Sequence, residues 1–200
     1  QEQLGGGNGE LKAAMQYISQ SFRIKDKAIK DLFMDIAAEE LSHMEMVAQT
    51  INLLNGHDLD YEAVKGGEIE THVLAGLSPV LMNSSGESWD AKYVTVTGDL
   101  VADLLSNIAS EQRAKVVYEY LYRQIEDKHV RETIDFLLNR EEAHNALFRD
   151  ALNKVKDTGS NKSFGVTEDS KIYFDLSTPG PNHDSKMNIT PPSFEEPIKK

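Results

Sequence analysis

Apolar residues recur at alternating steps of four and three along two long stretches of the chain. In the first the positions are Ile29, Phe33, Ile36, Glu40, His43, Val47, Thr50 and Leu54. In the second they are Val130, Ile134, Leu137, Glu141, His144, Phe148, Ala151 and Val155. This spacing returns every position to one face of an α-helix, so each stretch predicts an amphipathic helix with its stripe turned to a core. The first runs from about residue 25 to 54 and stops at Asn55-Gly56, a C-terminal pattern. The second opens at Asp127 and reaches about residue 156. Two more helices are predicted. One follows the glycines Gly5 to Gly7, with Asn8 as its cap and Leu11, Met15, Ile18 and Phe22 as its apolar positions. The other starts after the cap Asp99, runs to about Glu126, and carries Val101, Leu104, Ile108, Glu111, Lys115 and Tyr118 on its inner face.

Short links join the first helix to the second and the third to the fourth. Residues 56–98 lie between the pairs. Connections of that length are uncommon, and two helical hairpins joined by one long crossover describe an all-α, ferritin-like four-helix bundle. The expected division is a bundle over residues 1–157 and an irregular C-terminal tail over 158–200, rich in proline. The tail has apolar residues but no core of its own, so it is expected to pack on the bundle or on a neighbouring subunit. The alternation at Tyr93, Val94, Thr95 and Val96 suggests a short strand in the crossover, and residues 171–176 suggest another in the tail.

Polar residues interrupt both long stripes at mid-height. Glu40 and His43 stand three apart in one, and Glu141 and His144 repeat the pair in the other. Glu111 replaces an apolar residue on the third helix. Glu10 lies at the edge of the first, with Ala14 and Tyr17 on the same side. An unpaired buried carboxylate costs several kcal/mol or takes up a proton, so four at one level need positive charge. Lys115 and Arg140 are the nearby cations, and Arg140 points away from Glu141. Two divalent cations balance four carboxylates. One Glu from each of two helices plus Glu-x-x-His from each of the other two is a known di-iron and di-manganese arrangement. A lone Glu-x-x-His is a weak signal; two in register with their own stripes are a strong one. On this pattern Glu141 reads as a sixth ligand. His57, His72, His129 and His183 fall outside the stripes, and Glu39, Glu45 and Glu142 read as solvated positions.

Composition narrows the picture. The 200 residues are 40% apolar and carry a formal charge of −12, which disfavours a sequence-independent grip on nucleic acid or adhesion to an anionic bilayer. There is no cysteine, so disulfides, thiolate metal sites and iron–sulfur clusters are excluded. No apolar run approaches the roughly 20 residues of a membrane span, and no signal-peptide pattern is present. The cytoplasm is the expected compartment.

The segments GGGNGELKAAMQY (5–17), DIAAEELSHMEM (35–46), GDLVADLLSNIASEQRA (98–114) and FLLNREEAHNALF (136–148) resemble the non-haem manganese catalases, as does SSGESWDAKYVTVTGD (84–99) in the crossover. Spore-coat relatives share the pattern. The resemblance implies a catalase that disproportionates hydrogen peroxide at two manganese ions cycling between Mn(II) and Mn(III) pairs. It implies five ligands: Glu10, Glu40, His43, Glu111 and His144. Glu40 would bridge the ions, Glu10 and His43 would complete one, and Glu111 and His144 the other. It assigns Glu141 to proton handling rather than ligation, and Tyr17 to an outer position near the solvent route. It further implies a homo-oligomer, commonly a hexamer, while the acidic charge argues against a nucleic-acid or membrane partner. Some members carry an Arg just before the third-helix Glu, where this chain has Ser110, and members have a longer segment before the glycine turn. Two other readings compete. One is a di-iron ferritin-like oxidase or ferroxidase, since these ligands accept either metal. The other is a non-enzymatic structural protein of the spore-coat kind, whose site only stabilises the bundle.

Overall fold

The computed structural model describes residues 1–55 and 81–157. The predicted strand at 171–176, the docking of the tail, and His57, His72 and His183 lie outside the described residues. Five α-helices occur among the described residues: α1 (Glu2–Gly5), α2 (Glu10–Ser21), α3 (Lys27–Asn55), α4 (Leu100–Gln124) and α5 (Lys128–Asp157). α2 packs along α3, and α4 along α5, giving the two expected hairpins. The short α1 has no counterpart in the sequence reading.

Three helix starts are set by aspartates. Asp26 Oδ1 accepts from Ile29 N at 3.0 Å, Asp99 Oδ1 from Ala102 N at 2.9 Å, and Asp127 Oδ1 from Val130 N at 3.0 Å. Each satisfies a first-turn donor that has no carbonyl to meet. α2 differs from expectation. Its cap is Gly9, without a side-chain bond, while Asn8 instead accepts from Arg113 Nε at 2.8 Å. A Cβ on Gly9 would come within 2.6 Å of the carbonyl oxygens of Glu2 and Gln3, so α1 can close under the first turn of α2 only with glycine there. Gly98, at φ 79°, makes the left-handed turn into Asp99.

The long stripes are buried as read. Ile29, Phe33, Ile36 and Val47 on α3, and Ile134, Leu137, Phe148, Ala151 and Val155 on α5, are all core residues, whereas Leu54 is exposed. The other two helices match expectation in part: Glu10, Ala14 and Tyr17 on α2 and Leu104, Glu111 and Tyr118 on α4 are buried as read, and the rest of each face differs. On α2, Phe22 is exposed and Leu11, Met15 and Ile18 are half-buried. The buried face is Glu10, Ala13, Ala14, Gln16, Tyr17 and Gln20. On α4 the seam runs through Leu104, Asn107, Glu111, Ala114 and Tyr118, one residue off the predicted Ile108 and Lys115. The physical reason is that α2 and α4 meet through hydrogen bonds. Lys12 Nζ donates to Ser110 Oγ at 2.9 Å, Gln16 Nε2 to Asn107 Oδ1 at 2.8 Å, and Asn107 Nδ2 to Gln20 Oε1 at 2.7 Å.

The same glutamines explain why no strand forms at 93–96. Thr95 N donates to Gln16 Oε1 at 3.0 Å, and Thr95 O accepts from Gln20 Nε2 at 2.8 Å. Side chains thus satisfy the backbone that a strand partner would otherwise have to meet. A 3-10 turn over Ala91–Tyr93 and an isolated bridge between Met82 and Ser88 occupy this part of the crossover. Two apolar clusters result. One gathers Tyr17, Phe33, Ile36, Leu104 and Phe148; the other gathers Leu4, Val47, Tyr118, Ile134 and Leu137. Along α3 and α5 the Glu and His residues fall between them.

Candidate metal centre

The layer between the clusters contains Glu10, Glu40, His43, Glu111, Glu141 and His144, each no more than 2% exposed. All five expected ligands and Glu141 therefore converge. Glu40, His43, Glu141 and His144 each offer a donor atom within 4.8 Å of the other three. Glu40 faces both rings: Oε1 is 2.8 Å from His144 Nδ1 and Oε2 is 3.4 Å from His43 Nδ1. Glu10 Oε2 lies 3.8 Å from His43 Nδ1, and Glu111 Oε2 lies 3.7 Å from His144 Nδ1. Glu141 Oε1 is 3.9 Å from His43 Nδ1, so distance alone does not separate it from the others.

Outer side chains hold this layer in a crossed pattern. Tyr17 on α2 donates to Glu111 on α4, and Tyr118 on α4 donates to Glu10 on α2. In each helix the tyrosine lies seven residues after that helix's own glutamate, and burial lifts both phenols well above their ordinary range. Both phenols therefore stay protonated and serve as donors.

The electrostatics are those of an under-neutralised site. Burial and the charges of Glu111, Glu141 and Glu10 push the Glu40 carboxyl well up, and burial with Glu10 and Glu111 does the same to Glu141. Burial also raises Glu10, but His43, Glu40 and Tyr118 outweigh it and hold Glu10 below the usual carboxylate value. The cations proposed from sequence do not serve the layer directly. Lys115 pairs with Glu142 at 3.3 Å, and Arg140 forks onto Glu39. Lys12, which the sequence reading passed over, is buried at Ser110. Burial and Arg113 push its ammonium down to about 8 against the pull of Glu111.

Both oxygens of Glu40, both ring nitrogens of His43 and of His144, Glu111 Oε2 and Glu141 Oε1 are buried without a hydrogen-bond partner. Buried polar atoms are rarely left this way, and so many unmet lone pairs in one place fit a cationic group. The donors are carboxylate oxygen and imidazole nitrogen, a set suited to manganese or iron. The residues present therefore fit a dinuclear metal group.

Glu39 is the residue sequence reasoning missed. Read as solvated, it is instead half-buried, at 35% exposure, and its carboxylate lies 3.1 Å from His144 Nε2 and 3.7 Å from His43 Nε2. Burial opposes its ionisation, but Arg140 and His144 hold its carboxyl down to about 2. The available signal was its place immediately before one Glu-x-x-His, matched by Arg140 before the other.

Two helical hairpins, each bringing a Glu-x-x-His helix and a Glu-bearing helix to one buried layer, define a ferritin-like dimetal bundle. Residues 1–189 match the family model for manganese-containing catalase. The chain is 77% identical over 197 residues to a probable manganese catalase of Clostridium acetobutylicum, covering 98% of this chain and 87% of that protein. It is 34% identical to a manganese catalase of Lactiplantibacillus plantarum, covering 78% of this chain and 64% of the relative. The crystal structure of KatB, a manganese catalase from Anabaena, superposes with a TM-score of 0.75 at 35% identity, over 94% of this chain and 87% of that one. The chain belongs to the manganese-containing catalase family.

Proposed function

We propose that the protein disproportionates hydrogen peroxide to dioxygen and water at two manganese ions held in the buried Glu/His layer. The observation that carries this reading is the cluster of partnerless carboxylate and imidazole atoms sealed between two apolar clusters. We assign Glu10, Glu40, His43, Glu111 and His144 as the ligands. In support, the two oxygens of Glu40 face different imidazoles, as a bridging carboxylate would, while Glu10 approaches His43 and Glu111 approaches His144.

When bound, the manganese pair supplies a two-electron store, filled by one peroxide and emptied by the next, so that two peroxides give one dioxygen and two waters. The protein's task is to bind, orient and move protons. One half-reaction releases two protons and the other consumes two. Glu141 is the group assigned to this, since burial with Glu10 and Glu111 raises its affinity for a proton and it lies against the layer. Tyr17 and Tyr118 fix one oxygen of Glu111 and of Glu10, leaving the other to face the imidazoles. The apolar clusters keep bulk water out, which strengthens every charge interaction inside.

Metal analysis with an oxygen electrode tests the reading. Two manganese per chain and oxygen release from peroxide are expected. Two iron without oxygen release would instead make the chain a di-iron oxidase. Metal-dependent melting with no oxygen release would make the site purely structural.

The same reading extends to organisation. The bundle is assigned to residues 1–157 and a tail to 158–200 that packs on the bundle or a neighbouring subunit of a homo-oligomer, taken to be a hexamer in the cytoplasm. Among the described residues no helix is long and apolar enough to cross a membrane. Light scattering on the full chain and on a chain lacking residues 160–200 tests the assembly; an unchanged oligomer after deletion would refute the role of the tail.

A further inference from the structure

Two adjacent residues on α3 address the same two imidazoles from opposite sides. Glu40 meets the Nδ1 atoms, as described above. Glu39, one position earlier, meets the Nε2 atoms: Oε2 lies 3.1 Å from His144 Nε2, and Oε1 lies 3.7 Å from His43 Nε2. The rings are stacked, with centroids 5.6 Å apart and planes 21° from parallel, so both turn the same edge to the same carboxylate. Glu39 stands one turn before His43 on α3, and Arg140 stands one turn before His144 on α5. Their side chains meet over the outer edges of the rings, with Arg140 Nη2 3.1 Å from Glu39 Oε2 and Arg140 Nε on Oε1.

We propose that Glu39, locked by the Arg140 fork, is the shared positioning residue of both imidazoles, selecting Nε2 as the nitrogen that carries hydrogen and leaving Nδ1 bare toward the buried carboxylates. A neutral imidazole has one N–H and one lone pair; Glu40 lies closer to both Nδ1 atoms, at 2.8 and 3.4 Å, but Glu39 is the carboxylate that the Arg140 fork holds in one orientation, which makes it the fixed acceptor for the hydrogen. The same contact fixes ring orientation and makes the opposite nitrogen a better donor to a metal. Glu39 is the one carboxylate that approaches both Nε2 atoms among the described residues. At 34% and 35% exposure, the Arg140–Glu39 pair would by itself contribute little stability. Its consequence is geometric, because a two-pronged guanidinium holds a carboxylate in one orientation where a lysine would not.

The inference rests on the ligand assignment above, and two measurements keep the two separable. The first is manganese retained per chain against graded chelator, for wild type, Glu39→Gln, Glu39→Ala, Arg140→Ala and the surface comparator Glu142→Gln. Glu39→Ala is expected to release manganese at about 10- to 100-fold lower chelator. Near-isosteric Glu39→Gln, which keeps one acceptor oxygen, should fall between it and wild type, and Glu142→Gln should match wild type. The second is 15N NMR of labelled histidine in the metal-free full chain, where His43 and His144 should be Nε2–H tautomers in wild type and mixed in Glu39→Ala. Wild-type retention in both Glu39 variants, or Nδ1–H tautomers in wild type, overturns the inference. A wild type that takes up no manganese overturns the ligand assignment, while the NMR still decides the role of Glu39.

Discussion

Replacing Glu141 by glutamine separates proton handling from metal binding. The side chain is 1% exposed, its Oε1 has no partner, and its carboxyl is pushed well up by burial and by Glu10 and Glu111. Burial and these neighbours favour its neutral form, and an amide of the same shape opens no cavity. The change in stability should stay within about 1 kcal/mol. An amide can neither give up nor take the protons that peroxide exchanges. General acid–base assistance is worth about 10²- to 10⁴-fold, which is about 3–5 kcal/mol of barrier, and turnover should fall by that factor. The assays are oxygen release from peroxide, manganese per chain and a thermal melt on the same preparation. Turnover within threefold of wild type at full manganese would refute the proton role. Loss of manganese along with turnover would make Glu141 a sixth ligand, the reading that helical spacing alone supports.

Removing the metal should invert the pH dependence of stability. Glu40 and Glu141 titrate above the ordinary 4.5 when folded, so the metal-free fold keeps protons that the unfolded chain releases, and its melting temperature should fall from pH 5 to 7.5 in calorimetry. A flat or rising profile would contradict this, and manganese should abolish the decline. Tyr17→Phe and Tyr118→Phe each remove the phenolic donor from one buried carboxylate and should each cost about 1.5–3 kcal/mol by denaturant titration, with similar effects because the contacts are crossed equivalents. Phe148→Ala empties a site where one ring packs edge-on against Tyr17 at 4.9 Å and Phe33 at 5.2 Å. A loss of about 3–5 kcal/mol is expected, together with weaker manganese retention, because the cavity lies one turn from His144.

Sequence legibility followed the chemistry of each face. α3 and α5 are readable because their buried sides are apolar apart from Asn145 and the Glu and His that define the site. α2 is legible only at Glu10, Ala14 and Tyr17, because the rest of its inner face is small or polar: Ala13, Gln16 and Gln20 look like surface until Asn107 and Thr95 are seen to satisfy the amides. α4 reads correctly at Leu104, Glu111 and Tyr118 but one residue off at Ile108 and Lys115 for the same reason, since Asn107 and Ala114 give a weaker apolar signal than Ile108. The strand expected near Thr95 failed because a backbone met by side chains needs no neighbouring strand. Glu39 reads as solvated because charge beside a stripe normally is; only the juxtaposition of two histidines from different helices reveals what it faces. The seven-residue step from Glu10 to Tyr17 and from Glu111 to Tyr118 was visible, but its crossing required three dimensions.

The polar join between α2 and α4 works like a vernier. An oily interface can slide by a fraction of a turn and still be oily, whereas amides, a lysine and two phenols match their counterparts at one setting only. A slip of a single residue would strand Lys12, Gln16, Asn107, Tyr17 and Tyr118 at once. Helix alignment is thereby calibrated by the scaffold itself, and an incoming ion finds its cradle already at gauge instead of having to draw four rods into line.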